Sequence, residues 1–211
     1  MKKFFAYITI IRPLNMILGG VTIVISSFIV QYNGPISYVF FAVLVVMFYT
    51  AGANTLNDYF DYKIDKINRP DRAISSGLVL RSHALIFSLF AFIIGTLFAL
   101  QLNKNSQLVS IGISLPLIIG YNAKLKKFPL IGNIVVALIL SLSFIYAGFV
   151  FDNIKPLIIP ALLAFGLTLI REIVKDMADV IGDKSVGLKT FPIIYGENKT
   201  IVLYSRRCTH R

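Results

Sequence analysis

A chain of 211 residues with 56% hydrophobic and 15% charged side chains and a mean hydropathy of +0.77 is more apolar than a soluble domain, whose apolar share lies near about 45–50%. The net charge of +11 would suit nucleic acid. It falls, however, in short segments between long uncharged runs and forms no continuous basic face, so a nucleic-acid partner is not expected. A single cysteine, Cys208, excludes an internal disulfide and a cysteine metal centre, and His83 and His210 are isolated from each other.

In chain order, Lys2, Lys3 and Arg12 precede a first uncharged run at 14–30. It follows Arg12-Pro13, is too long for a signal-peptide core and lacks a small-x-small exit, so it reads as a retained span. A short connection leads to a second run at 38–56, and then comes a long polar segment, 57–83. Further uncharged runs follow at 84–102, 108–121, 130–151 and 157–170, the last leading into a second polar segment, 171–189. Roughly 17 to 25 helical residues cross a bilayer. Four runs meet that length, and 108–121 and 157–170 need polar flanks to complete a span. The segment 191–204 carries Glu197 and Lys199 and reads as the start of a seventh helix, and the tail 205–211 resembles no regular element. The expectation is an all-α, polytopic membrane bundle around a central cavity, with six helices, an aberrant or truncated C-terminal end, and one domain over 1–211.

The basic residues decide the orientation. Fifteen lie in the N-terminal segment, in 57–83, in the loop after the fourth run (Lys124, Lys126, Lys127) and in 171–189; the opposite connections hold only Lys104 and Lys155. A 15-to-2 asymmetry places the N-terminus and both polar segments in the cytoplasm by the positive-inside rule, in a multi-pass cell-membrane protein.

Eight of the ten acidic residues sit in those two polar segments: Asp58, Asp61, Asp65 and Asp71, then Glu172, Asp176, Asp179 and Asp183. Carboxylates beside hydrocarbon are costly unless neutralised. Asn57, Asp61 and Asp65 are spaced i, i+4, i+8, and Asp176, Asp179 and Asp183 are spaced i, i+3, i+7, so each set shares one helical face. Oxygen-only ladders suit hard cations, and Mg²⁺ completes its octahedron with water and phosphate oxygens. Lys63, Lys66, Arg69, Arg72, Lys124, Arg171 and Lys175 lie nearby and suit a polyanion. The layout of span, short loop, span and long acidic loop occurs twice, which lets the two ladders face one cavity. A diphosphate on a membrane cavity implies a substrate with a charged head and a hydrocarbon tail, a polyprenyl diphosphate. Its allylic C–O bond ionises when the leaving group is stabilised and the cation is kept dry. Tyr121 by itself reads as an interfacial aromatic, and Gly77, Gly182 and Gly187 read as turn residues and not as phosphate cradles.

The run Asn57-Asp-Tyr-Phe-Asp-Tyr-Lys-Ile-Asp65 with Asn68-Arg-Pro-Asp-Arg72, and the run Arg171-Glu-Ile-Val-Lys-Asp-Met-Ala-Asp-Val-Ile-Gly-Asp183, resemble the two aspartate motifs of the UbiA-type intramembrane prenyltransferases. Arg12-Pro13-Leu-Asn15 and Tyr121-Asn-Ala-Lys124 fit as well, and the resemblance runs from about Phe5 to Gly196. It implies Mg²⁺-bound diphosphate and prenyl transfer to a lipid-soluble acceptor. By motif match, Asn57, Asp61, Asp65, Asp179 and Asp183 would bind metal, with the four aspartates at the centre of catalysis. Arg72, Lys124, Arg171 and Lys175 would hold phosphate, and Tyr121 would border the reacting carbon. Within the family, the Arg-Glu-Ile-Val-Lys-Asp stretch resembles the branch that adds a second geranylgeranyl chain to geranylgeranylglyceryl phosphate in ether-lipid synthesis. A quinone- or chlorophyll-type enzyme with an aromatic acceptor is the alternative. Family members carry more helices than the six runs counted in this chain. A transporter would place ionisable residues inside the spans, and the uncharged runs have none.

Overall fold

Long uncharged runs in an apolar medium must satisfy every backbone N–H and C=O internally, which leaves the helix as the economical answer. The computed structural model describes residues 2–128 and 130–178, together with positions 180 and 193. It consists of helices α1 (Lys2–Ile10), α2 (Pro13–Ile29), α3 (Ile36–Asn68), α4 (Arg81–Ala99), the short α5 (Lys104–Gln107), α6 (Leu115–Ala123), α7 (Ile131–Val150) and α8 (Ile158–Ala178). Wider π-type turns at Leu108–Ser114 join α5 to α6 into one rod. Among the described residues, six helical segments are long and apolar enough to cross a membrane.

The predicted runs and the helices coincide in number and order, with three differences. The chain is already helical at Lys2, before the first uncharged run. α3 does not stop where hydropathy falls but continues to Asn68, carrying the first acidic segment as helix. α8 likewise continues through Arg171, Glu172, Lys175 and Asp176. Both extensions have the same cause: an existing helix propagates at little cost, whereas a new one must nucleate. They also put the polar residues in fixed register with the spans that carry them.

α1 and α2 meet at Arg12, whose backbone is left-handed (φ 52°, ψ 71°). A following proline disfavours the right-handed helical region at this position, and Pro13 itself suits the first turn of α2. The junction costs about 1–2 kcal/mol as a non-glycine left-handed residue, and its side chain is held in return by Asp58 of α3 (2.6 Å). Beyond α3, the turn at 69–80 closes on Gly77 (φ 77°), in keeping with the turn role read from the sequence. This turn packs Ala73, Ile74 and Val79 against Ala6 and Ile10 of α1.

Small residues set the approach of α3 and α4. A methyl at Gly95 would sit 2.6 Å from the Tyr49 ring, and one at Gly52 would sit 2.6 Å from the Phe92 ring. Ser88 donates to the Gly52 carbonyl at 2.9 Å. Close backbone packing of this kind replaces the hydrophobic effect as the glue between helices in lipid. Outward-facing side chains are apolar: Ile36, Phe28, Ile159, Leu162, Leu163 and Leu167 are all widely exposed, as suits a surface that meets acyl chains.

Candidate active site

A cavity of about 710 Å³ opens between α2, α3, α6, α7 and α8. Its deeper wall is built from residues such as Val45, Ile118, Ile139 and Leu142, and its mouth from the polar ends of α3 and α8. On α3, Asn57, Asp61 and Asp65 all line it, as the i, i+4, i+8 spacing predicted. Facing them, Arg171, Glu172, Lys175 and Asp176 of α8 line the same cavity. The two acidic segments therefore do meet across one space, because both are continuations of helices that pack around it. Asp179 and Asp183, the remaining residues of the second ladder, lie outside the described residues.

The electrostatics of the α3 side are closely paired. Asn57 Nδ2 donates to Asp61 Oδ2 at 2.7 Å. Lys126 reaches across from the loop after α6 to pair with the other oxygen of Asp61. Arg72 Nη1 donates to Asp65 Oδ2 at 2.7 Å and to Asp58 Oδ1 at 3.1 Å. Asp58, only 5% exposed, receives Arg12 as well. On the α8 side, Lys175 Nζ donates to Glu172 Oε2 at 3.2 Å, and Asn133 of α7 donates to Asp176 Oδ2 at 2.9 Å.

Of the residues expected to bind phosphate, Arg72, Arg171 and Lys175 line the cavity, and so does Tyr121. Lys124 does not: it is exposed and absent from the described cavity wall. α6 ends at Ala123, and Lys124 (φ −143°) swings the chain into a 3₁₀ turn over Leu125–Lys127. That turn delivers the lysine two positions later, Lys126, to Asp61. Sequence reasoning also missed Arg12 and Asn133 as parts of the site. Arg12 had a signal, its place in the Arg12-Pro13-Leu-Asn15 entry. Asn133 had none, since it sits near the start of an apolar helix with its partner 43 positions away. Asp58, one position off the face of Asn57, Asp61 and Asp65, does not line the cavity and serves as the anion under Arg12 and Arg72.

Over residues 20–208 the chain matches the model of the UbiA prenyltransferase family. The chain belongs to the UbiA prenyltransferase family. It is 39% identical over 191 residues to the digeranylgeranylglyceryl phosphate synthase of Methanothermobacter thermautotrophicus, covering 90% of this chain and 66% of that protein. The backbone is similar to a solved structure described as digeranylgeranylglyceryl phosphate synthase in membranes, with a TM-score of 0.80 and 31% identity over 98% of this chain and 74% of the other. It is similar in fold to a UbiA homolog from Archaeoglobus fulgidus bound to GPP and Mg²⁺, with a TM-score of 0.79 and 22% identity over 94% of this chain and 72% of that one. The chain thus spans about two thirds to three quarters of the length of these relatives.

The donor set of this UbiA chain fits a divalent ion. Asn57, Asp61 and Asp65 present only oxygen acceptors to the cavity besides the Asn57 amide, and that amide is turned onto Asp61. Among the described residues, no group of three or more Asp, Glu, His or Cys side chains converges closely enough to hold a metal alone. Asp179 and Asp183, the other residues matched to the metal motif, lie outside the described residues.

Proposed function

We propose that the chain transfers a geranylgeranyl group from geranylgeranyl diphosphate to the free hydroxyl of geranylgeranylglyceryl phosphate, with Mg²⁺ as cofactor and its N-terminus and site mouth in the cytoplasm. The observation that carries this reading is a single cavity with a charged mouth and an apolar depth. Among the described residues, six lining cations (Arg12, Arg69, Arg72, Lys126, Arg171 and Lys175) stand with four lining carboxylates (Asp61, Asp65, Glu172 and Asp176). The likeness to a protein named digeranylgeranylglyceryl phosphate synthase supports the choice of acceptor.

In this reading Asn57, Asp61 and Asp65, with Asp179 and Asp183, hold the metal, and Arg72, Lys126, Arg171 and Lys175 hold the diphosphate oxygens. A Mg²⁺ ion held by these residues would supply charge neutralisation for the leaving diphosphate. The apolar wall around Val45, Ile118 and Leu142 excludes water that would quench an allylic cation. Tyr121 borders the reacting carbon at the end of α6. The acceptor brings its own phosphate, for which cations at the mouth offer charge-assisted contacts.

The test is a competition in membranes containing the chain, supplied with geranylgeranyl diphosphate and Mg²⁺. Geranylgeranylglyceryl phosphate is expected to be prenylated, and the dephosphorylated ether alcohol to be at least ~10-fold poorer for want of charge-assisted contacts. A chain that prenylates 4-hydroxybenzoate and ignores the glyceryl phosphate belongs to an aromatic-acceptor branch instead.

Two further outcomes follow from named residues. Lys126→Ala should raise the KM for the diphosphate by ~10- to 100-fold, the worth of one charged hydrogen bond, whereas Lys124→Ala should change it less than twofold. Equal effects in steady-state kinetics would return the role to Lys124. For orientation, cysteine placed at the exposed Ile67 in a Cys208→Ser background should resist impermeant maleimide applied outside intact cells and react after lysis. Rapid labelling from outside would reverse the topology.

A further inference from the structure

Prenyl transfer to an alcohol requires a proton acceptor, because the hydroxyl oxygen that bonds to C1 of the donor must shed its hydrogen. The carboxylates of α3 are poorly suited. Asp61 is paired with Lys126, Asp65 with Arg72, and both stand on the face read as metal-binding. On α8, Asp176 accepts the Asn133 amide. Glu172 differs in place and surroundings. It is 5% exposed yet lines the cavity, and it lies one helical turn nearer the apolar depth than Asp176. Thr168, one turn deeper again, lines the same wall. A small recess beside the main cavity brings Glu172 together with Tyr121, Lys126 and Asn133, so it stands next to the aromatic assigned to the reacting carbon. Its cationic contacts are with Lys175 at 3.2 Å and Arg171 at 3.7 Å, both more exposed than the carboxylate itself and both available to a diphosphate.

We propose that Glu172 is the general base of the transfer, accepting the proton of the acceptor hydroxyl as that oxygen bonds to C1. The inference rests on the function proposed above. The balance is complete: the C1–O bond to diphosphate breaks and its electron pair leaves with the diphosphate. The acceptor oxygen forms the new C1–O ether bond, and its proton passes to the Glu172 carboxylate. Its two cationic neighbours, Lys175 and Arg171, are the residues assigned above to the diphosphate oxygens, which places the base beside the leaving group. A carboxylate buried one turn nearer the apolar depth than Asp176, otherwise an expense to the fold, thereby gains its use.

The experiment separates ionisation from capture. The chain is incubated with Mg²⁺ and geranylgeranyl diphosphate carrying ¹⁸O at the bridging oxygen, with and without geranylgeranylglyceryl phosphate. Ionisation and return scramble the label into the non-bridging positions of recovered donor, a readout that needs no acceptor and also reports an intact donor site. Glu172→Gln, which keeps shape and removes the base, is expected to lower transfer by at least ~100-fold, the usual worth of a positioned base, while scrambling persists within threefold. Glu172→Asp should retain at least tenfold more transfer than Glu172→Gln. Transfer by Glu172→Gln within threefold of the parent overturns the assignment. Loss of scrambling together with transfer also overturns it, because Glu172 would then serve the donor side through Lys175. A parent chain that scrambles the donor but prenylates only aromatic acceptors overturns the proposed function, and a parent that does neither overturns both.

Discussion

Asp61→Ala is expected to lower prenyl transfer by at least ~100-fold, since even partners one shell removed from a metal cost 10- to 100-fold when lost. The same change should leave the protein folded in the membrane, with some fall in melting temperature because Lys126, its side chain 13% exposed, loses its partner. Asp61 is partly exposed to the cavity, and its contacts with Asn57 and Lys126 are polar contacts at the mouth, not core packing. The matched control is Asp152→Asn at the opposite end of α7. Asp152 is exposed and left-handed (φ 54°), a backbone state that asparagine tolerates and alanine does not. Its transfer rate should stay within twofold of the parent. Rates measured in membranes with saturating Mg²⁺ decide the matter. Equal losses at Asp61 and Asp152 would mean that the carboxylates act only through general electrostatics, and the metal face on α3 would have to be abandoned.

Asp58→Ala should act on stability first. The carboxylate is buried beneath two guanidinium groups, at 2.6 Å from Arg12 and 3.1 Å from Arg72. Removing one partner of a buried ionic cluster costs about 3–5 kcal/mol. The lower end applies here, because the side chains of Arg12 and Arg72 keep 32% and 20% of their exposure and can turn to water. The α1–α2 junction should loosen as well, since Asp58 holds the side chain of its left-handed residue. Thermal unfolding in detergent should therefore show a clear drop in midpoint, with the KM for the diphosphate rising because Arg12 and Arg72 lose their common anchor at the cavity rim. An unchanged midpoint would show that solvent replaces Asp58 without loss. A restored midpoint in Asp58→Glu would confirm the charge as the cause.

The spans, their number and the acidic face of α3 were legible in the sequence, because each is a local pattern. An uncharged run long enough to cross a bilayer has one economical conformation, and Asn57, Asp61 and Asp65 fall on one face of any helix that contains them. Helical spacing at the start of the acidic segments was legible for the same reason, whereas how far α3 and α8 run into them was not. What stayed hidden depends on chain reversals and on partners distant in sequence. Whether Lys124 or Lys126 enters the cavity turns on the backbone angle at which α6 ends. Asp58 differs from Asp61 by three positions, which in a helix is not quite a full turn, and that small rotation decides whether a carboxylate faces the cavity or the Arg12–Arg72 pair. Asn133 and Asp176 meet only because α7 packs along α8. The sequence by itself determined that carboxylates, cations and apolar spans would occur in helical register, since register follows from spacing. Only the tertiary structure decided which of those charges neutralise one another and which remain directed at a substrate, since a charge pair depends on distances between helices that no spacing along one chain can specify.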